Sequence, residues 1–523
     1  AWKGDIRMQT ENRKLTLKNY IGYGTMDLFG GGAFAIIGAW MLYFFITYCG
    51  LTPVEAGSII AIARIIDAIA SPIMGHITDN FGRTKLGKKF GRRRFFLLVG
   101  SPLMIIYSLL WISDMNYWYY LTVYILLEFL AAMVLIPFET LGAEMTNDFN
   151  ARTKLSTIRL IYSGLGTFLA TFIPGRLFEI FGKDSPQVFL YNGIIFTFIF
   201  MAALLITHRT TWERKIEEDM IEPDGVEKVP AIESIKKVII DLTSTFRIRS
   251  FRQHLTMYIC SFTAMDILNA VFVYFVVFSL NKDAVLAADL LSIGSLLQMV
   301  CTILFGWLVI KIGPAPSLKI SYIAIITCIS GYIFLYFTQP AYMIIALYAF
   351  SVILGIGKSG LYYIPWNIYT FIPDVDEMVT RKRREGIFAG IMTFTRKSTT
   401  ALATFLVGVI LQESGFVASA TTQSTTAING IVGILFFGTV GLVGISLVIS
   451  FKFKLSKKTH SIMINEINRL KNNGSMEQAD DETRSVLKAL TGWDYEKLWG
   501  NNNVGYQNKR QHFEQQDFKQ DMN

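Results

Sequence analysis

Acids and bases interrupt the long apolar stretches of this sequence at only a few places, and each interruption is a candidate for chemistry. Arg64 and Asp67 stand three residues apart, with Ser71 one turn beyond Asp67, so on a helix the three share a face. They can pair with each other, or Asp67 can bind a hard cation through oxygen or change protonation. Glu128 and Glu139 are separated by about three whole helical turns, a spacing that sets two carboxylates along one stripe and lets both face a common cavity. Arg159, followed one turn on by Tyr162, and the adjacent Arg396 and Lys397 supply donors for the hydroxyls or the carboxylate of a solute. Lys397 lies in a polar stripe with Thr393, Thr400 and Thr404. Asp27, Asp266 with Asn269 on the same face, Lys358, and Trp366 beside Asn367 complete the set; a tryptophan ring suits the C–H face of a sugar but serves as often for packing or interfacial anchoring. Glu144, farther along its stretch, reads as a gate or loop partner.

These residues are informative because of what surrounds them. Of 523 residues 52% are hydrophobic and 17% charged, with a mean hydropathy of +0.41, which excludes an ordinary water-soluble domain. Continuously apolar runs, each long enough to cross about 30 Å of hydrocarbon, must be helices: only a helix satisfies its own backbone there, and a barrel needs alternation. The fold class is an all-α membrane protein. Twelve spans are expected at 27–48, 54–78, 95–113, 117–145, 155–178, 188–207, 252–280, 286–310, 316–337, 340–372, 386–411 and 426–452. An ionisable group inside such a run costs about 3 kcal/mol or more, so it needs a partner or a watery cavity.

The loops give orientation. Seven Lys and Arg residues between 83 and 94, Arg152 and Lys154, and a basic run at 381–384 fall in alternate loops, which predicts that these loops and both termini face the cytoplasm of a cell (inner) membrane. The net charge of +9 is thereby accounted for without nucleic acid as a partner. The polar, basic N-terminal segment carries no cleavable-leader pattern, so the first span is expected to direct insertion. The predicted organisation is a cytoplasmic segment 1–26, a six-helix bundle 27–207, a polar linker 208–250, a second bundle 251–452 and a cytoplasmic tail 453–523. In the tail, Val486, Leu487, Leu490, Trp493, Leu498 and Trp499 suit a short amphipathic helix and turn lying on the carrier or on lipid headgroups, or a plain solvated segment. Cys49, Cys260, Cys301 and Cys328 have no paired or metal-ligand spacing. The histidines are scattered, and no nucleophile elbow or phosphate-cradling loop stands out, so an enzyme is not expected.

The two bundles read as repeats. Ile136-Pro137-Phe138 is followed by Asp148, and Ile364-Pro365-Trp366 by Asp376 at the same separation; Gly75 and Gly82 after the second span echo Gly306 and Gly313 after the eighth. A six-plus-six duplication places a solute site between the halves near the bilayer midplane. In the run Gly75 to Arg83, Gly75 permits close helix approach, Gly82 a tight turn, and Asp79 and Arg83 a charge contact made in one state and broken in another. Gating is the role expected of these, together with Arg152 and Asp376.

The Gly75–Arg83 run resembles the loop signature of the major facilitator superfamily. GYGTMD (Gly22 to Asp27), ARIIDAIASPIMG (Ala63 to Gly75), IPFETLGAEMTNDFNARTKLSTIR (Ile136 to Arg159) and RREGIFAGIMTFTRK (Arg383 to Lys397) resemble the glycoside-pentoside-hexuronide:cation symporters within it, the group of melibiose permease and the glucuronide carriers. The resemblance covers nearly all of both halves and misses the tail. It implies a major facilitator fold of two six-helix bundles, no cofactor beyond a coupling proton or sodium, and transport by alternating access, with the monomer as the functional unit. It implies that Asp67 serves the cation, that Arg159 lies near the sugar, and that Lys397 neighbours the acids. Departures matter equally: Ser71 stands where sodium-coupled members have a second acid, Gly30 or Gly31 where a sugar-gripping acid lies, and Glu139 where a tryptophan lies. Proton coupling through Asp67, or a one-acid sodium site there with Ser71, is therefore expected, with no other metal. Solute contacts are expected from Asp27, Glu139, Arg159, Tyr162, Trp366, Asn367 and Lys397. A lysolipid carrier on the same scaffold and a non-transporting receptor are the competing readings.

Overall fold

The computed structural model describes residues 14–146, 149–182, 185–213, 240, 243–381 and 385–505; within these ranges the surroundings of Gly75 and the side chains of Asp79, Arg83 and Arg152, among others, lie outside the described residues. Twelve long helices run in chain order: α1 Leu17–Thr47, α2 Pro53–Asn80, α3 Arg94–Leu109, α4 Tyr117–Met145, α5 Phe149–Phe181, α6 Gln187–Thr210, α7 Arg249–Ser279, α8 Ala284–Ile312, α9 Pro314–Thr338, α10 Met343–Tyr369, α11 Glu385–Glu413 and α12 Thr425–Lys452. Among the described residues nine of these are long and apolar enough, by length and composition, to cross a membrane. The other three, α2, α3 and α11, pack as integrally as the rest, and each of the twelve expected spans coincides with one helix.

Local sequence explains the helix starts. Thr52 and Glu55 form a reciprocal capping box, Thr52 Oγ1 accepting from Glu55 N at 3.2 Å and Glu55 Oε2 from Thr52 N at 2.9 Å, with Pro53 as the first helical residue of α2. A second box, Thr16 with Asn19, starts α1 ten residues before its apolar run begins. That first turn is fixed because Asn19 Nδ2 donates to Thr210 O at the end of α6, 2.7 Å away. Asp27, expected near the start of the first span, therefore sits well inside α1.

Within each half the first and fifth helices pack together, α1 on α5 and α7 on α11; across the halves α2 packs on α11 and α5 on α8. The α2–α11 crossing is close because Gly57 and Gly408 sit at it: a Cβ on Gly408 would lie 2.3 Å from Pro53 O, and one on Gly57 3.1 Å from Thr404 O. Further ties between halves lie at the same end of the molecule, the end carrying the α1–α2 loop. Tyr274 Oη of α7 donates to Leu42 O of α1 at 3.0 Å, and Arg176 of α5 pairs with Asp289 of α8. α1 and α7 each relax into a π-helical stretch there, Ile37–Met41 and Phe275–Ser279.

The opposite end carries the first and last described residues, 14 and 505. After α10 the chain bends at Thr370 and Phe371 into a buried helix, Ile372–Thr380, where a continuous span to 372 was expected. Two tail helices, α13 Lys457–Lys471 and α14 Asp481–Thr491, pack against it and the start of α7, burying Met463, Leu487, Leu490 and Leu498. The amphipathic tail thus finds its apolar partner in the protein itself.

Candidate solute and coupling site

Asp67 lies on α2 at the middle of the helix, almost wholly buried. Lys397 reaches across from α11, its Nζ 2.7 Å from Asp67 Oδ2 and 2.6 Å from Ser71 Oγ, while Ser71 Oγ donates to Asp67 Oδ1 at 3.1 Å. One carboxylate, one hydroxyl and one ammonium form a closed triad. Arg64 does not pair with Asp67, as their spacing allowed. Its Nη1 lies 3.3 Å from Glu128 Oε1 on α4, and its guanidinium stacks on the Phe34 ring at 4.7 Å.

That pairing separates the two glutamates of α4. Glu128 is 1% exposed, covered by α2, whereas Glu139, on the same stripe beyond Pro137, is exposed and makes no ion pair or hydrogen bond among the described residues. The expected common cavity for both is corrected: only Glu139 faces open space.

Asp27 and Arg159 are brought together. Arg159 Nε donates to Asp27 Oδ2 at 2.6 Å and Nη2 to Oδ1 at 3.3 Å, and the guanidinium lies 4.7 Å above the Phe138 ring. Tyr162 is half-buried beside this pair, packed on α1 where Gly24 leaves room: a Cβ there would stand 2.8 Å from its ring. The α1–α5 contact is close enough for this because Gly32 and Gly166 face each other farther along.

In the second half, Arg396 and Lys397, adjacent in sequence, point about 100° apart on the helix. Lys397 turns to α2; Arg396 turns to α7, its Nη1 2.5 Å from Asp266 Oδ2 and its Nη2 2.8 Å from Asp266 Oδ1. Thr400 Oγ1 donates to Asp266 Oδ2 at 3.0 Å. Asp266 and Arg396 were both noted in the sequence, but nothing there linked residues 130 positions apart. Trp366 is 43% exposed, with its ring edge-on to Tyr258 at 5.6 Å; Asn367 is half-buried, and its Oδ1 has no hydrogen-bond partner among the described residues. Lys358 is buried inside the second bundle.

Of the gating set, Gly82 occupies a single 3₁₀ turn, Phe81–Arg83, and Asp376 is fully buried in the helix Ile372–Thr380. The side chains of Asp79, Arg83 and Arg152, the Cβ environment of Gly75, and the repeat-mate Asp148 lie outside the described residues. Glu144 is a loop partner: it accepts from Arg92 and lies 2.6 Å from Arg93 Nε. Among the described residues no group of three or more His, Cys, Asp or Glu side chains could hold a metal ion.

Charges held in pairs on α1, α2, α4, α5, α7 and α11, inside helices of this length and apolarity, are what a membrane carrier requires. Residues 22–457 match the family model described as MFS/sugar transport protein, so the chain belongs to that family, as the resemblance to the glycoside-pentoside-hexuronide:cation symporters implied. It is 24% identical to the glucuronide carrier protein homolog of Escherichia coli K12, covering 88% of this chain and 97% of that one. It is also 24% identical to the isoprimeverose transporter of Lactiplantibacillus pentosus, covering 78% and 82%. Among solved structures, the D-xylose-proton symporter superposes with a TM-score of 0.58 at 14% identity, over 83% of this chain and 97% of that one, which shows a shared fold. The protein is a multi-pass membrane transporter.

Proposed function

We propose that the chain carries a neutral sugar or glycoside inward in symport with a cation, and that the cation acts by displacing Lys397 from Asp67. The relatives named for a glucuronide carrier and an isoprimeverose transporter support a saccharide solute. The charge arrangement supports a neutral one: Arg159 and Lys397, the bases available to greet a carboxylate, are both held by aspartates, and the open group beside them is the acid Glu139. Asp27, Arg159, Glu139 and Tyr162 would contact the solute from the first half, Trp366 and Asn367 from the second.

The single observation that carries the coupling role is the Lys397–Asp67–Ser71 triad. Protonation of Asp67 releases Lys397 with no further ligand. Sodium would have one carboxylate and one hydroxyl from this chain, with the rest of its oxygen shell left to solute, water or backbone. The triad thus favours a proton. The two halves would then rock about the α2–α11 and α5–α8 crossings, with the face bearing the termini turned to the cytoplasm and the positive loops on it.

The test is uptake into proteoliposomes under imposed proton or sodium gradients across a sugar panel. Asp67→Asn should abolish uphill accumulation while exchange of solute persists; undiminished gradient-driven uptake by that variant rejects the coupling assignment.

A further inference from the structure

The faces that α9 and α12 turn away from the rest of the protein carry positive charge that nothing in the chain neutralises. These two helices pack on each other and on neighbours in the second half, and leave Ile320 and Ile323 of α9 and Val448 and Phe451 of α12 exposed. In a membrane protein such a face meets acyl chains. At the end carrying the tail helices, lysines top this apolar wall. Lys319, in the second turn of α9, lies over the Phe451 ring with its Nζ 4.2 Å from the centroid, and Lys452 and Lys454 stand exposed just past that ring. The backbone is fixed there: Gln253 Nε2 of α7 donates to Lys452 O at 3.3 Å, and Phe453 and Leu455, both buried, leave Lys454 facing outward between them.

The sequence withholds counter-ions from this corner. No acidic residue lies between Asp289 and Asp374, nor between Glu413 and Glu466, and Lys319, Lys452 and Lys454 make no ion pair among the described residues. Lysines of the tail are treated differently: Lys458 pairs with Glu482 at 2.8 Å, Lys471 with Glu377 at 2.6 Å and Lys488 with Asp494 at 2.9 Å. Membrane orientation accounts for basic residues at this end, but not for three that share one apolar wall and have no partner. We infer that the corner is a binding site for an anionic phospholipid, its phosphate held by Lys319, Lys452 and Lys454 and its acyl chains lying along the exposed faces of α9 and α12. Each ammonium offers three donors at headgroup depth while its stem lies on the wall below. A zwitterionic headgroup brings its own ammonium and gains little. Bound there, the anionic lipid bridges the start of α9 and the end of α12, where the membrane part of the chain gives way to the tail.

The experiment is native mass spectrometry of the full chain in detergent, titrated separately with phosphatidylglycerol, phosphatidylcholine and inorganic phosphate. Wild type should bind phosphatidylglycerol about tenfold or more tighter than phosphatidylcholine, and inorganic phosphate, which has no acyl chains, far more weakly. Lys319→Gln, Lys452→Gln and Lys454→Gln should each lower phosphatidylglycerol affinity about fivefold, the factor for one lysine facing an anionic headgroup, and leave phosphatidylcholine binding unchanged. The corresponding arginine variants should bind as wild type does, and so should Lys488→Gln, whose lysine is paired elsewhere. Unchanged phosphatidylcholine binding also reports an intact fold, and if Lys319→Gln misfolds, Lys452→Gln and Lys454→Gln, past the packed part of α12, still decide the matter. Equal affinity of wild type for the two lipids reduces the lysines to interfacial anchors and overturns the inference. Full phosphatidylglycerol binding by the glutamine variants, or an equal loss in Lys488→Gln, does the same. Inorganic phosphate bound as tightly as phosphatidylglycerol makes this a free-anion site and rejects the lipid.

Discussion

Lys397 Nζ and Asp67 Oδ2 stand 2.7 Å apart between α11 and α2, so this ion pair ties the two halves of the protein together about three turns from the Gly57–Gly408 contact. The same pair that would sense the cation thereby joins the surfaces that must move. Under the proposed coupling, cation arrival would remove the tie and free the crossing, linking binding to motion without a separate relay.

Removing the lysine tests this directly. Lys397→Ala leaves Asp67 nearly buried without its counter-ion, a loss that for a sealed pair runs to about 3–5 kcal/mol and here, with part of the Lys397 side chain exposed, should come to about 1–3 kcal/mol. Thermal unfolding in detergent should fall accordingly, and sodium, now able to enter the vacated place, should restore part of it. An unchanged melting temperature, insensitive to sodium, contradicts the tie.

Arg64 and Glu128 should behave differently, because this pair is more deeply buried, at 15% and 1% side-chain exposure. Glu128→Gln strands the Arg64 guanidinium, and about 3 kcal/mol of stability should go with it. Replacing both with leucine should recover most of the loss, since both charges then leave the interior together. The comparison of single and double variants by thermal unfolding decides the matter: a double variant no more stable than the single one would mean that the pair serves more than packing.

How far the sequence reaches can be read from these same residues. Asp67, Ser71 and Lys397 were identifiable because charge inside an apolar run is rare and because their motifs resemble a known group. Helix existence was equally visible, since apolar runs of that length have one solution in a bilayer. Partner choice was not. Arg64 and Asp67 have ideal same-helix spacing, yet Arg64 is taken by Glu128 and Asp67 by Lys397, because crossing helices bring those groups nearer than a helix turn does. The early start of α1 was hidden for another reason: its first turns are polar and are held by a cap and by Asn19 on α6, neither of which leaves a hydropathy signal. Glu128 and Glu139 share a stripe as expected, but which of them opens to a cavity depends on where α2 ends its cover.

At the end of the molecule carrying the α1–α2 loop, Arg176 and Asp289 strap α5 to α8. Both side chains are about a third exposed, so the strap is worth about 0–1 kcal/mol, enough to shift a two-state population by up to about fivefold. Asp289→Asn should therefore raise the rate at which a membrane-impermeant maleimide labels Ser292→Cys, a buried position one turn along α8, in a background lacking the four native cysteines. An unaltered labelling rate would show that the strap does not hold this end of the molecule closed.

The tail supplies a pH-dependent prediction outside the membrane. Glu466 on α13 is buried, which by itself would raise its carboxyl, but hydrogen bonds from Arg469, at 2.7 and 2.8 Å, and from Tyr495 outweigh burial and hold it below the usual glutamate range. A carboxyl whose folded value is depressed stabilises the folded form fully above its unfolded value, about 4.3, and that contribution is lost as pH falls through the folded value. The tail fold, and with it the docking of Trp499 N on Met378 O at 2.8 Å and of Asn502 Nδ2 on Val379 O at 2.7 Å, should hold at neutral pH and loosen below about pH 4. Fluorescence of Trp493 and Trp499, with the remaining tryptophans replaced by phenylalanine, should report the release as a red shift on acidification. Glu466→Gln should show a weakened tail already at neutral pH, with this acid step diminished, because the group that titrates is gone; an acid step of full size in that variant would assign the release to a different group.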